Sequence, residues 1–559
     1  MKLLLASFLL GILSACGFAP WSLWPLTLVA FAGLIYLIDR APSLRSALAR
    51  GYWFGVGQFT LGLNWIATAF TFQSEMPHWL GWIAVVLLSL YLAVYPAMAT
   101  GLAWRWGVSP PLHSQGRGTA QSAMEGRRDS ASFEELASRA PLHQAAPGPP
   151  PPGSRGRNSV RLVLIFAAAW IVTEWLRATM FTGFAWNPVG VALLPTPVSR
   201  LATIIGTYGL SAIAVVLAGL LFLAFHRRWK AAAAIAGTVA LATALVALTS
   251  QAPLSAPTIP LRIVQPNIGQ QDKWKAGFEE RNFERLRRLS GAPSATPRLL
   301  LWPEAAVTDP LQDERLNPQD QAEALQIRLR IGQLLGPGDL LLTGGVTFRS
   351  TDRLHLTSAT NSVFAMTANG QILGRYDKAH LVPYGEYLPM RPILSAIGLS
   401  RLAPGDVDFD PGPGPQTLTL PIIGPVGFQL CYEIIFSGEV VDRNNRPAFL
   451  FNPSNDAWFG AWGPPQHLAQ ARLRALEEGL PILRSTPTGI SAVIAADGSL
   501  LHSLPWRTAG SIDAALPAPK PPTLFARVGN VMPFLFALLL VLVAAILSRR
   551  GIAAAHKSS

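Results

Sequence analysis

The chain has 559 residues, of which 50% are hydrophobic and 14% charged, so it is too long for one ordinary domain and too apolar for a soluble protein. Its formal net charge of +13 would suit a nucleic-acid partner, but residues 251–526 hold 24 Lys/Arg and 25 Asp/Glu. The positive excess therefore lies in and around the apolar segments, where membrane topology explains it and no nucleic acid is expected.

Long apolar stretches predict a membrane domain of about eight helices, because most of them approach the ~20 residues that cross ~30 Å of hydrocarbon. We expect helices 1–4 in residues 1–105, helices 5–7 in 161–250 and helix 8 in 531–548. The stretches lie near residues 2–17, 21–38, 53–72, 79–104, 161–180, 201–225, 231–249 and 531–548.

Basic residues occur in alternate connections between these stretches, as the positive-inside rule predicts for cytoplasmic loops. Both termini are therefore expected in the cytoplasm, with residues 250–530 on the opposite side of the membrane. The basic positions are Lys2, Arg40, Arg45, Arg50, the seven arginines from Arg117 to Arg161, Arg227, Arg228, Lys230, Arg549 and Arg550.

The two cysteines, Cys16 and Cys431, lie in such different contexts that a disulfide framework is not expected. Cys16 ends an apolar run in the manner of a lipoprotein signal peptide. Cleavage there would put another span directly at the new N-terminus, reduce the spans to seven and break the alternation of charge. We therefore interpret Cys16 as a small residue in a packed helix.

Residues 106–160 differ from both neighbouring regions, since they are rich in His, Ser, Gly and Arg and end in the run Pro149–Pro152. Low hydrophobicity and high proline content predict a disordered cytoplasmic insertion that buries no core. We expect no catalytic role for it.

From Leu261 onward, short apolar runs alternate with amphipathic stretches, which predicts an α/β domain over residues 258–525. Helices are expected at 277–290, 319–335 and 464–478. The expected strands are Leu261–Val264, Leu299–Trp302, Leu340–Thr343, Ser362–Met366, Gly427–Cys431, Ala448–Asn452 and Ser491–Ala495.

Three polar residues, Glu304, Lys378 and Cys431, stand at the ends of such runs, where α/β sheets place their chemistry. A thiol needs a base or a nearby cation to become a nucleophile. Glu304 is of the type that takes the proton, and Lys378 of the type that stabilises a thiolate or an oxyanion. Taken singly, however, a Glu or Lys is usually a solvated surface residue and a Cys a buried, inert one.

The motifs around these residues resemble the Glu-Lys-Cys constellation of the nitrilase superfamily. Motifs in the apolar segments narrow the resemblance to its membrane-embedded branch, the apolipoprotein N-acyltransferase family, over nearly the whole chain except 106–160. The matching motifs are Trp302–Glu304, Tyr376–Lys378, Leu381–Pro389, Cys431–Glu433, Gly17–Pro20, Leu23–Pro25, Gly62–Trp65, Glu174–Arg177, Thr182–Phe184, Trp186–Asn187, Gly206–Ser211, Gln265–Asn267 with Trp274, and Asn455–Phe459.

The resemblance implies a multi-pass enzyme of the bacterial inner membrane with an α-β-β-α catalytic domain facing the periplasm. Family members move an acyl chain from a phospholipid, usually phosphatidylethanolamine, onto the cysteine as a thioester. They then pass it to the α-amino group of the S-diacylglyceryl-cysteine that begins an apolipoprotein. Here Cys431 would be the nucleophile, Glu304 the base and Lys378 the oxyanion partner.

The resemblance also implies supporting residues. Glu386 matches a second glutamate, which we expect to position Lys378, and Asn361 matches a polar position of the site. Glu433 is interpreted either as site support or as a structural hydrogen-bonding residue.

Three aromatic residues, Trp274, Tyr432 and Trp458, match family aromatics near the pocket, where they would bind substrate along an acyl chain or at the mouth. Ordinary core packing is the alternative for each. Glu174 and Arg177 lie one helical turn apart near a span end, where an ionisable residue is a functional candidate, although pairing with each other explains them equally well.

Other functions would use the same residues. A thiol protease would need a histidine such as His467, which we instead place on a charged helical face. A membrane-tethered amidase would resolve the thioester with water, but it has no need of the fused membrane motifs. A transporter or receptor would carry a degenerate domain, whereas Glu304, Lys378 and Cys431 are all present.

The expected partners are a membrane phospholipid and a diacylated apolipoprotein, bound by a monomer. The sequence contains no metal-ligand cluster and no phosphate-binding glycine loop, so we expect no cofactor.

Overall fold

The computed structural model describes residues 1–72, 77–108, 152–255, 258–273, 275, 277–294, 296–396 and 407–556. Apolar helices form a membrane domain, and a two-sheet domain is inserted before the last of them. The helices of the membrane domain are Lys2–Ala15, Trp24–Asp39, Leu44–Gly62, Ile66–Ala69, Leu80–Leu92, Val94–Gly107, Pro152–Thr179, Ala202–Phe225, Trp229–Leu248 and Val531–His556.

Five helical segments among the described residues are long and apolar enough to cross a membrane, namely Leu80–Gly107, Ser159–Thr179, Pro197–Phe225, Trp229–Leu248 and Val531–Ser548. The first two apolar helices are shorter than a span. The stretch expected at 53–72 is a helix that begins nine residues earlier, at Leu44. The count of about eight spans therefore stays a prediction.

Small residues allow the first and third helices to pack backbone to backbone. A Cβ at Gly11 would lie 2.0 Å from the Phe54 carbonyl oxygen, and one at Gly57 would lie 2.1 Å from that of Phe8. Such close approach is how helices gain contact in a membrane, where apolar burial alone gives no driving force.

The expected insertion 106–160 is shorter at both ends, because one helix continues to Gly107 and the next begins at Pro152. Proline suits a first helical turn, so the end of the proline run starts a helix instead of extending the linker. Residues 109–151 lie outside the described part of the chain.

Among the described residues, the two-sheet domain has thirteen strands. The first sheet has the order β13-β1-β2-β4-β5-β6 with β3 paired to β4, and the second has the order β12-β11-β10-β9-β8-β7. The strands are β1 Pro260–Gln265, β2 Leu299–Leu301, β3 Pro310–Asp313, β4 Leu340–Arg349, β5 Ser358–Met366, β6 Ile372–Asp377, β7 Thr417–Leu420, β8 Gly424–Phe428, β9 Phe449–Pro453, β10 Ile482–Ser485, β11 Ala492–Ile494, β12 Leu500–Ser503 and β13 Gly510–Ala515.

The two sheets pack face to face, because alternate residues of each strand point to opposite sides. In β2, Leu299 and Leu301 join the core between the sheets, while Leu300 packs outward against two helices. The helices on this outer face are Glu279–Ser290 and Pro318–Gly332. The predicted α-β-β-α architecture is therefore confirmed on this side.

The helix Gly463–Glu478 covers the outer face of the second sheet and faces the membrane domain with its other side. Its Leu473 and Leu476 belong to one apolar core with Leu450 of β9 and with Leu210 of the helix Ala202–Phe225. Polar contacts join the same elements: the Thr207 hydroxyl donates to Glu477 at 2.6 Å. This helix is thus shared between the two domains. The remaining helices of the domain are Gln270–Lys273, Arg391–Ala396 and Leu524–Val528.

Candidate active site

Glu304 lies three residues after β2 in a turn packed against β4. A Cβ at Gly344 of β4 would lie 2.6 Å from the Glu304 Cα, so glycine is what lets this turn approach the sheet. Glu304 Oε1 accepts a hydrogen bond from Asn361 Nδ2 at 2.8 Å. Its Oε2 is buried and accepts none from the described residues.

Lys378 directly follows β6 and is fully buried. Its Nζ donates to Glu386 at 2.9 Å and lies 3.7 Å from Glu304 Oε1. Burial disfavours the ammonium, but the carboxylates of Glu386 and Glu304 outweigh burial and raise the pKa of Lys378 above its usual value. The side chain therefore stays positively charged at neutral pH.

Asn361 and Glu386 complete the polar cluster. Asn361, on β5, donates from Nδ2 to both Glu304 at 2.8 Å and Glu386 at 2.7 Å. Glu386 also accepts from the Val382 N–H at 2.8 Å. One amide and one ammonium thus hold two buried carboxylates at fixed positions.

Cys431 begins the 3-10 turn Cys431–Ile435, and the preceding strand ends at Phe428, so the expected strand Gly427–Cys431 was wrong in its last residues. The nucleophile candidate has φ 50°, in the left-handed region that a non-glycine residue rarely adopts. Burial and the Glu304 charge raise the pKa of the Cys431 thiol well above its usual value, while Lys378 opposes them. The resting thiol is therefore protonated at neutral pH.

Glu433 connects the loops that carry Lys378 and Cys431. Its carboxylate accepts from the N–H groups of Ala379 at 2.7 Å, His380 at 3.0 Å and Leu430 at 2.7 Å. The Tyr376 hydroxyl donates to it at 2.9 Å. Of the two interpretations of Glu433, these contacts match the structural one, because its carboxylate is engaged in fixing the backbone on both sides of the site.

The aromatic residues tie the site to the membrane domain. The Tyr432 hydroxyl donates to the Gly183 carbonyl at 3.3 Å, and the half-buried Trp458 packs edge-to-face with Phe72 at 5.9 Å between centroids. Trp274 lies outside the described residues.

Glu174 and Arg177 hold the segment that Tyr432 contacts. Arg177 donates to the carbonyls of Phe184 at 3.0 Å and Trp186 at 2.8 Å, and Glu174 accepts from the Val189 N–H at 2.9 Å. Both side chains are buried and lie 3.9 Å apart. These contacts match the structural alternative for the pair.

His467 is fully buried, so its expected position on a charged helical face was wrong. The helix face that carries it packs into the protein, where its Nε2 lies 2.9 Å from the Cys431 carbonyl oxygen and its Nδ1 lies 2.9 Å from Asp456. The contact is to the backbone of Cys431, so the structure gives no support to a Cys–His protease pair.

Lys273 is a site residue that the sequence did not reveal. It is buried, its Nζ donates to the Glu304 carbonyl at 3.2 Å, and burial lowers its pKa to about 8. The only available signal was its position directly before the matched Trp274.

Two stacked sheets with a buried carboxylate, ammonium and thiol define a carbon–nitrogen hydrolase domain, and the family model described as Carbon-nitrogen hydrolase matches residues 261–520. The model described as Apolipoprotein N-acyltransferase N-terminal domain matches residues 10–119 and 151–220.

Full-length relatives agree with both matches. Apolipoprotein N-acyltransferases are 34% identical in Bradyrhizobium diazoefficiens, over 99% of this chain and 96% of the relative, and 32% identical in Rhodopseudomonas palustris, over 97% and 95%. One from Ralstonia nicotianae is 34% identical over 98% and 94%. The chain therefore belongs to the apolipoprotein N-acyltransferase family, and it is an N-acyltransferase of a bacterial membrane.

Among solved structures, an amidase from Nesterenkonia sp. AN1 is 15% identical with a TM-score of 0.33, covering 50% of this chain and 96% of the amidase. Sequence identity and structural similarity at this level say nothing about function.

Proposed function

We propose that the enzyme transfers an acyl chain from phosphatidylethanolamine to Cys431 as a thioester, and from there to the α-amino group of an S-diacylglyceryl-cysteine at the N-terminus of an apolipoprotein. The observation that carries the proposal is the buried cluster of Glu304, Lys378 and Glu386 beside the Cys431 thiol. Membership of the N-acyltransferase family supports it.

In the first half-reaction, Glu304 takes the thiol proton as Cys431 attacks the ester carbonyl. The raised pKa of the thiol makes a base necessary. Glu304 is the group we assign, because its charge acts on the thiol and its Oε2 accepts no hydrogen bond from the described residues. The Lys378 ammonium stabilises the oxyanion. Glu304 then returns the proton to the departing lysophospholipid oxygen.

In the second half-reaction, the acceptor amine attacks the thioester and gives a proton to Glu304. The tetrahedral intermediate collapses to the amide, and the sulfur of Cys431 leaves and recovers a proton from Glu304. A thioester conserves the reactivity of the acyl group between the two steps, and an amine outcompetes water in a site from which water is excluded.

The enzyme acts as a monomer in the inner membrane, with its catalytic domain in the periplasm and both termini in the cytoplasm. The side of the membrane follows from the basic residues of the alternate connections. The acceptor supports action at a membrane, because an apolipoprotein is anchored by its diacylglyceryl group and presents its amine at the membrane surface.

Purified protein in detergent tests the proposal with labelled phosphatidylethanolamine and a diacylated lipopeptide. We expect labelled triacyl product, and a mass increase of one acyl group on Cys431 when the lipopeptide is omitted. Cys431→Ala should reduce product formation by at least about 10³-fold. Cys16→Ala, at the other cysteine, is the matched control and should remain active. Release of free fatty acid without triacyl product would refute transfer and favour an amidase.

A further inference from the structure

A buried polar network centred on His467 contacts the backbone of Cys431. His467, Asp456 and Arg484 are each fully buried. The Arg484 guanidinium donates to both Asp456 oxygens, at 2.9 and 2.8 Å. The mechanism above uses none of these groups.

The contacts of His467 place a hydrogen on its Nε2. Its Nε2 faces the Cys431 carbonyl oxygen at 2.9 Å, and since a carbonyl only accepts, Nε2 carries a hydrogen. Its Nδ1 lies 2.9 Å from Asp456 Oδ1, an acceptor, and 3.0 Å from an Arg484 nitrogen, a donor, so Nδ1 has a partner whether or not it carries a hydrogen. Burial and the Arg484 charge lower the pKa of His467, while the Asp456 carboxylate opposes them.

The bonded carbonyl belongs to the peptide that joins Cys431 to Tyr432. In a trans peptide the carbonyl and the following N–H point in opposite directions, so holding the oxygen also sets the direction of the Tyr432 N–H. In sharp nucleophile turns, the N–H after the nucleophile is a donor to the oxyanion. The backbone of Cys431, with φ 50°, would otherwise relax from this strained conformation.

We propose that His467 is a positioning residue whose Nε2–H holds the Cys431 carbonyl, and thereby aims the Tyr432 N–H at the oxyanion formed during acylation. This inference rests on the proposed thioester mechanism. Asp456 and Arg484 hold the imidazole from behind, as second partners commonly hold a functional histidine.

The membrane domain contributes to the same arrangement. The Trp186 ring lies 5.3 Å from the His467 ring, and Trp186 Nε1 donates to Gln466 Oε1 at 2.7 Å. Trp186 lies in the segment held by Arg177. The position of His467 is therefore set jointly by the two domains.

The test compares His467→Gln with His467→Asn in the full-length protein carrying Cys16→Ala. A glutamine amide reaches the place of Nε2, whereas an asparagine amide is one methylene too short. Two rates are measured: single-turnover acylation of Cys431 by labelled phosphatidylethanolamine, which forms an oxyanion, and alkylation of Cys431 by iodoacetamide, which forms none. Gln470→Ala, three residues along the same buried helix face, is the matched control.

We expect acylation within about tenfold of wild type for H467Q, because it keeps the hydrogen bond. For H467N we expect acylation to fall by about 100-fold, the effect of a misplaced oxyanion donor, with alkylation little changed. The control Q470A should keep both rates.

Three results would overturn the inference: undiminished acylation in H467N, an equal loss of acylation and alkylation in H467N, or a loss in H467Q as large as in H467N. If H467N does not fold, as judged by its melting temperature, H467L fills the volume without a donor and takes its place. Failure of the wild type itself to form a thioester would instead refute the proposed function.

Discussion

At Cys431, the residue proposed as base also makes the thiol harder to ionise. The Glu304 carboxylate raises the pKa of the thiol by its charge, while the Lys378 ammonium lowers it. In the proposed mechanism, the thiol therefore stays protonated until its proton passes to Glu304. A neutral thiol is also less easily oxidised than a thiolate, which would suit the proposed location in the periplasm.

This balance predicts opposite effects of Glu304→Gln on two reactions. Removal of the negative charge lowers the pKa of the thiol, so alkylation of resting Cys431 by iodoacetamide at pH 7 should become faster. Acyl transfer should fall by about 10²–10⁴-fold, because the base is lost. Both rates are measured by mass spectrometry in the Cys16→Ala background, with Glu284→Gln on the exposed surface as control. Slower alkylation in E304Q would contradict this electrostatic account.

The sequence located Glu304, Lys378 and Cys431 at the ends of strand-like runs, but their partners depended on contacts between distant positions. Asn361 is 57 residues from the Glu304 that it contacts, and Lys273 is 31 residues from the same residue. Asn361 and Glu386 were found only through family motifs. His467 was misplaced because helical periodicity does not show which polar residues a second domain covers.

At the scale of elements, apolar runs predicted several strands of the sheet interiors, such as β2 and β9, but they missed β10, which is buried between β9 and β11. The edge strands β7 and β12 were also missed, since β12 is exposed throughout and only the last residue of β7 is buried. An edge strand has no continuous apolar pattern to distinguish it from a loop. The beginning of the helix Leu44–Gly62 was missed for a similar reason. Its first turns contain polar residues, so they do not continue the apolar stretch that predicted the rest of the helix.

The segment 182–189 gives a prediction at this scale, because it is held by the buried pair Glu174 and Arg177. Arg177→Met leaves an unpaired carboxylate in the interior and should destabilise the protein by about 3–5 kcal/mol. The double variant E174Q/R177M removes both charges and should recover part of this loss. Thermal unfolding in detergent measures both.

The exposed pair Arg287 and Glu284 supplies the control for this comparison. Arg287→Gln should leave the melting temperature unchanged, since water already solvates both partners. If the double variant were no more stable than R177M, the role assigned to the buried charge would be wrong.

For the whole molecule, the proposed topology places the exposed His355 in the periplasm and the exposed Trp229 on the cytoplasmic side. In the Cys16→Ala background, a membrane-impermeant maleimide added to intact spheroplasts should label His355→Cys and leave Trp229→Cys unlabelled. Permeabilised cells should show labelling of both. Labelling of W229C alone in intact spheroplasts would reverse the orientation.

The helix Gly463–Glu478 has a consequence for engineering. One of its sides completes the sandwich and the other is buried against membrane helices, with Gln466, Gln470 and Glu477 each bonded to a residue of the membrane domain. A water-soluble homologous domain fused to these membrane helices would place a solvent-adapted surface where this helix contacts the membrane domain. A working chimera would therefore need this helix transplanted together with its membrane partners, as a single module.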